Sequence, residues 1–288
     1  MEMTGSTLVA EKIVAFEYTQ LHTQAFGDPA HPPVLLIMGV MSSMLWWPER
    51  FCEELAAQGR YVIRYDQRDT GLSTCYPPGE PGYSFSDLAD DAIAVLDGYG
   101  IEAAHLVGMS MGGFLAQEAA LRHPRRVRTL TAISSSPLGV DGLPSSTKAY
   151  KEHSAAAESL DWSDLEAIAD FLRRDSAMLA GTRHPHDAEA ADALIARDMG
   201  RAASFVSATN HFMLLSEDSA ATLHASRIDV PVLVIHGTSD PLFPIEHGEA
   251  FTRVTPTAQL HRIVGGGHEI HDRDIDEMVR VIADRTGF

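Results

Sequence analysis

The sequence predicts an α/β protein, with a mostly parallel sheet flanked by helices and interrupted once by a layer made of helices alone. Three observations carry this expectation. Short apolar runs alternate with stretches of helical period from residue 34 to residue 133, and the alternation resumes at residue 232. Between about residues 137 and 227 there is no convincing strand. Finally, Gly108-Met109-Ser110-Met111-Gly112 stands between an apolar strand and a helical segment, the context in which a serine is lifted on a tight strand-to-helix turn.

In chain order, residues 12–18 and 20–26 read as a leading antiparallel hairpin, and the proline-rich stretch 27–33 as a turn. Residues 34–38 are a continuous apolar run, as expected of a strand covered on both faces. A helix follows over about 48–57, with Pro48 in its first turn and Gly59 past its end. Residues 61–65 form the next strand, and a helix over about 86–99 takes Ser86 as N-cap and Gly100 as stop. The strand entering the Gly-Met-Ser-Met-Gly turn leads to a helical pattern from Phe114 to Arg122, then a strand over 128–133. These spacings imply right-handed crossovers. Within the strand-free stretch, Ser163 and Glu166 fit a capping box opening a helix to about Leu179, and further helices are expected over 186–199 and 201–215. The last elements are a strand over 232–236, a helix over about 245–253, a strand over 259–264 and a helix from about Asp272. This divides the chain into a core, 1–136 and 228–288, and an inserted helical lid, 137–227.

Composition sets the function classes aside in turn. The net charge of −18 argues against nucleic acid or an anionic membrane surface as partner. Two cysteines, Cys52 and Cys75, are too few for a disulfide framework and read as reduced thiols. Residues 1–6 carry no leader pattern and no apolar run approaches a membrane span, so a cytoplasmic protein is expected, monomeric or homodimeric. No H-E-x-x-H helix or cysteine set points to a metal. Gly265-Gly-Gly267 lacks the ending of a phosphate loop, and no dinucleotide fingerprint follows the first long strand, so no cofactor is expected.

A serine hydroxyl needs a general base, and the base needs an orienting partner. Functional groups gather at the carboxyl ends of parallel strands. His268 follows the last strand on a triple-glycine loop and is the preferred base; His271 and His236 are its rivals. Asp240, after the penultimate strand, is the expected acid, because Ser134-Ser-Ser136 offers none at the strand before it. The N–H groups of Met111 and Val40 would hold an oxyanion. Gly39, Met41, Trp46 and Met109 belong to a methionine- and tryptophan-rich rim suited to a bulky apolar substrate, although Trp46 and Trp47 fit core packing equally well.

The order Ile37-Met-Gly39, Gly108-Met-Ser-Met-Gly112, His236-Gly-Thr-Ser-Asp-Pro241 and Gly265-Gly-Gly-His268 resembles the α/β-hydrolase superfamily along essentially the whole chain. Residues 62–73 and 240–248 are similar to the group that contains the aclacinomycin methylesterase. The resemblance implies an eight-stranded sheet and a cofactor-free serine esterase with Ser110, Asp240 and His268 as triad. It also implies ester substrates, among them methyl esters of bulky or polyketide-like acids. Where many relatives carry His-Gly this chain has Met38-Gly39, which keeps the backbone donors and loses a side chain that buttresses the loop. The same triad would serve a perhydrolase, a lactonase or a C–C bond hydrolase. A scaffold that binds ligand without turnover is the non-enzymatic alternative.

Overall fold

The computed structural model describes residues 11–216 and 223–287. Residues 1–6, and the part of the inserted segment at 217–222, lie outside them. Eight strands form one sheet: β1 (Glu11–Phe16), β2 (Thr19–Phe26), β3 (Pro33–Ile37), β4 (Tyr61–Tyr65), β5 (Ala104–Met109), β6 (Val127–Ile133), β7 (Val232–Gly237) and β8 (Ala258–Ile263). Their spatial order is β1-β2-β4-β3-β5-β6-β7-β8. β1 pairs with β2, and β2 with β4, in antiparallel fashion, and every later pairing is parallel. The sheet is thus mostly parallel, as the alternating pattern implies.

The helices that cover it are α1 (Glu49–Ala57), α2 (Phe85–Gly98), α3 (Met111–Arg122), α8 (Glu246–Val254) and α9 (Ile275–Arg285). Strand pleating sends alternate residues to opposite faces. Leu35, Ile37, Leu106 and Val234 meet Leu88 and Leu96 of α2, Leu115 of α3 and Phe251 of α8 on one face. Val34, Leu36, Val107, Leu233 and Ile235 meet Phe51 and Leu55 of α1 and Ile275, Met278 and Ile282 of α9 on the other. Each fully buried leucine or isoleucine contributes ~1.5–3 kcal/mol relative to its exposed state, and this two-sided burial is why β5 has no exposed residue.

Between β6 and β7 the described residues contain no strand. They form α4 (Lys148–Ala155), α5 (Leu165–Leu179), α6 (Ala188–Arg201) and α7 (Asn210–Ser216). The helix expected over 201–215 is broken: Arg201 ends α6, a 3-10 turn occupies Val206–Thr209, and α7 starts only at Asn210. α4 was not expected. None of its residues is fully buried, so it carries no apolar stripe to read.

Three helix starts also differ from expectation. α2 is capped by Ser84 through a full capping box with Asp87, whereas Ser86 lies inside the helix and donates to Glu118. α3 begins at Met111, three residues before Phe114. At α5 Asp164 takes the cap from Ser163, because its carboxylate accepts from both Glu166 N–H and Ala167 N–H. Residues 272–274 form a 3-10 turn that precedes α9. Among the described residues no helix is long and apolar enough to cross a membrane.

Replacing a reciprocal capping box weakens a helix start by about 1 kcal/mol. Ser84→Ala is therefore expected to lower unfolding free energy by about 1 kcal/mol in urea titration with an unchanged m-value.

Candidate active site

The turn from β5 into α3 is sterically closed. A β-carbon on Gly108 would lie 2.1 Å from the Gly112 carbonyl oxygen, and one on Gly112 would lie 2.0 Å from the Ile37 carbonyl oxygen. Between them Ser110 has φ 53°, ψ −118°, outside the regions that ordinary residues occupy. Its backbone is fixed on both sides: Ser110 N–H donates to Ile133 O at 2.9 Å, and Ser135 Oγ donates to Ser110 O at 2.9 Å.

Asp240 follows β7, and His268 lies on the glycine loop after β8. His268 Nδ1 sits 2.8 Å from Asp240 Oδ2. The other Asp240 oxygen accepts from Leu242 N–H and Phe243 N–H, each at 2.9 Å. Burial works against the charge on Asp240, but His268, His236 and the Phe243 N–H together outweigh it and hold the carboxyl below its ordinary value. Because a carboxylate is acceptor-only, Nδ1 of His268 carries the proton and Nε2 is the free basic nitrogen. Ser110, Asp240 and His268 thus share the carboxyl edge of the parallel strands. They are only 7 %, 4 % and 7 % exposed. No hydrogen bond joins Ser110 Oγ to the His268 ring.

The rival imidazoles have other hydrogen-bond partners, although His236 Nε2 also lies 3.8 Å from Asp240 Oδ2. His236 Nε2 donates to Phe243 O at 2.8 Å. His271 accepts Arg273 N–H and stacks on His184 with ring centroids 4.5 Å apart. Nitrogens of His184 and His271 and an oxygen of Asp274 lie within 4.8 Å of one another, but that carboxylate is already bound by His184 at 2.9 Å and by Arg183 at 3.2 Å.

The loop after β3 approaches the serine closely, with the β-carbon position of Gly39 only 3.2 Å from Ser110 Cβ. Val40 follows Gly39 in this loop and Met111 follows Ser110, and the backbone N–H of each donates to no protein acceptor among the described residues. Met41 has φ 61°. Most of the expected apolar rim is packed inward: Met38, Trp47 and Met109 are in the core, and Met44 and Met111 are buried. Trp46 is half-buried and donates through Nε1 to Asp198 of α6 at 2.7 Å.

The helices between β6 and β7 are tied to the loops at the carboxyl ends of four strands. Met41 N–H donates to His211 Nδ1 at 3.2 Å, Arg201 Nη1 to Asp66 Oδ2 at 2.6 Å, Thr147 N–H to Pro241 O at 2.8 Å, and His268 N–H to Leu179 O at 2.8 Å. The segment also brings polar residues that sequence reasoning did not single out. His153 Nε2 lies 3.1 Å from Asp175 Oδ1 and its ring stacks on Phe171. Burial pushes the Asp175 carboxyl up, against the pull of His153, Tyr150 and His268. His211 is fully buried, and burial pushes its imidazole down to about 4 despite the carbonyl of Arg68. Neither group follows an apolar period, so no pattern announces them.

Comparison with known proteins follows the same geometry. A family model described as the alpha/beta hydrolase fold matches residues 32–274. The chain is 32 % identical over 275 residues to rhodomycin D methylesterase DauP of Streptomyces sp. strain C5, covering 90 % of this chain and 92 % of that protein. The figures are the same for rhodomycin D methylesterase DnrP of Streptomyces peucetius. Among solved structures, esterase RhEst1 from Rhodococcus sp. ECU1013 superimposes with a TM-score of 0.77 at 24 % identity, covering 98 % of this chain and all of that one. At that identity the likeness is one of fold.

A buried neutral histidine makes stability depend on pH. His211 protonates near 6.5 in the unfolded chain and near 4 in the folded one, so the unfolded state takes up the proton first. The stability it contributes is complete above about pH 6.5 and is lost as pH falls toward 4, by about 3 kcal/mol at most. Denaturant titrations at pH 7 and pH 4.5 are expected to show a larger loss for the wild type than for His211→Asn.

Proposed function

The chain belongs to the α/β-hydrolase family, and on that premise we propose that it is a serine carboxylic-ester hydrolase working through an acyl-enzyme. The observation that carries the reading is the buried Asp240–His268 hydrogen bond at the carboxyl edge of the sheet, the edge on which Ser110 is held at positive φ after β5.

In the first half-reaction His268 Nε2 takes the Ser110 proton as Oγ adds to the ester carbonyl. The negative oxygen is received by Val40 N–H and Met111 N–H, in a site where water is excluded and each donor counts for more than in solution. His268 returns the proton to the departing alkoxide, the C–O bond breaks and the alcohol leaves. Water then enters, loses a proton to His268 and adds to the acyl carbonyl. Collapse of that intermediate returns the proton to Ser110 and releases the acid. Asp240 stays ionised throughout and fixes the tautomer that leaves Nε2 basic. Nucleophile–base hydrogen bonds commonly tighten only as the reacting complex forms. The helices α4 to α7 act as the lid, and the likeness to rhodomycin D methylesterases supports a methyl ester of a bulky apolar or polyketide-like acid as substrate.

A fluorophosphonate probe is expected to label the wild-type protein once per chain, and Ser110→Ala to abolish both labelling and turnover of p-nitrophenyl esters; labelling of the alanine variant would overturn the assignment. Asp240→Asn is expected to retain the fold by circular dichroism while kcat falls on the order of 10³–10⁴-fold, because the amide donor would favour the wrong tautomer.

A further inference from the structure

The loop that carries Val40 N–H is held from outside the core. Met41, the next residue, has φ 61°, a conformation that a side chain with a β-carbon keeps only when its surroundings over-determine it. The core supplies two restraints near this loop: Gln67 Nε2 donates to Met38 O at 2.8 Å and Met44 N–H donates to Asp66 Oδ1 at 2.9 Å. Within the loop Ser42 N–H reaches Gly39 O at 3.4 Å, and Ser42 Oγ donates to Val40 O at 3.2 Å. Neither core restraint touches the peptide between Val40 and Met41. From outside the loop that peptide is held through Met41 N–H, which donates to Nδ1 of His211 on α7, at 3.2 Å.

His211 is built for this role. Its Nε2 lies 2.8 Å from Arg68 O, and a carbonyl can only accept, so Nε2 carries the proton and Nδ1 is an acceptor. The ring is fully buried, and burial keeps it neutral, so Nδ1 keeps its lone pair at neutral pH. The neighbouring residue anchors the same turn of α7: Asn210 Nδ2 donates to Asp69 Oδ2 at 2.9 Å and to Pro77 O at 3.2 Å, while its Oδ1 accepts from Gly79 N–H at 2.7 Å.

We propose that His211 is a positioning residue of the inserted helices that fixes the Val40–Met41 peptide, so that the oxyanion-binding loop takes its working shape only with α7 seated on the core. The inference rests on Val40 N–H serving as an oxyanion donor. It gives the insertion a part in transition-state binding as well as in covering the site.

The two faces of the imidazole can be tested separately. Asn at position 211 restores an acceptor near Nδ1 and leaves Arg68 O unpaired, whereas Gln restores a donor toward Arg68 O and leaves Met41 N–H unpaired. With a p-nitrophenyl ester, His211→Asn is expected to keep kcat within about 5-fold of wild type. His211→Gln is expected to lose at least about 10-fold in kcat and in fluorophosphonate labelling rate, with KM changed less than about 3-fold, as for loss of an oxyanion donor. A structural role through Arg68 would reverse that order. Equal losses in the two variants, wild-type kcat in both, or a greater loss in His211→Asn would overturn the proposal. Hydrogen exchange of the peptide spanning residues 39–44 reads the same contact without turnover: faster exchange is expected in His211→Gln than in His211→Asn, and equal exchange would overturn it. If Ser110→Ala still turns over ester, the serine-hydrolase reading fails instead, and the exchange comparison continues to judge the contact alone.

Discussion

Two carbonyl oxygens leave no room for a side chain at the turn between β5 and α3, and much of the molecule follows from that. Gly112 packs its α-carbon against the end of β3, so α3 can start immediately after Ser110 and lie down on the sheet. The same closeness brings the Gly39 loop against Ser110, so the serine and the loop after β3 are set by one packing event. Strain at Ser110 is tolerated because β5 is central, buried on both faces and paired on both sides. A residue in an unfavourable backbone region could not be held this way on an edge strand.

The loops at the carboxyl edge of the sheet bond to one another at several points, and the inserted helices add further ties to them. α5 ends where Leu179 O receives His268 N–H, and Gly181 has no room for a β-carbon against the backbone of Gly265 and Gly267. α6 closes on Asp66 through Arg201 and on Trp46 through Asp198. α7 closes on Met41, Arg68 and Asp69. Buried polar contacts of this kind specify one arrangement, because leaving any of them unmade is costly. The insertion is therefore registered to the core by hydrogen bonds, and its position is as defined as that of the loops beneath it.

How far this was legible in the sequence follows from which forces leave a pattern. The sheet strands are readable because burial on both faces demands unbroken apolar runs such as residues 34–37 and 232–235, each preceded by proline and followed two residues later by glycine. Ser110, Asp240 and His268 could be nominated from their places after strands, and two of them are found hydrogen-bonded. The caps were misjudged by one or two residues because Ser84, Ser86, Ser163 and Asp164 all have capping chemistry, and only backbone geometry chooses among them. The insertion was read least well. α4 buries nothing completely, and the break before α7 is made by Asn210 and His211, whose buried side chains satisfy distant loops. Polar residues committed to tertiary hydrogen bonds have no periodicity.

The strand order has a consequence for how the molecule comes into being. The Ser110 turn belongs to the first half of the chain, whereas β7 and β8, which lead into Asp240 and His268, pair onto the far edge of the sheet only after the helical segment has been made. α9, which seals one face of the core, is later still. Non-local parallel pairings of this kind form slowly, since the loop entropy is lost before the contacts are gained. Under the proposed mechanism a nascent chain therefore holds Ser110 without Asp240 or His268 until the last strand is made, and chemical competence arrives at once instead of growing by degrees.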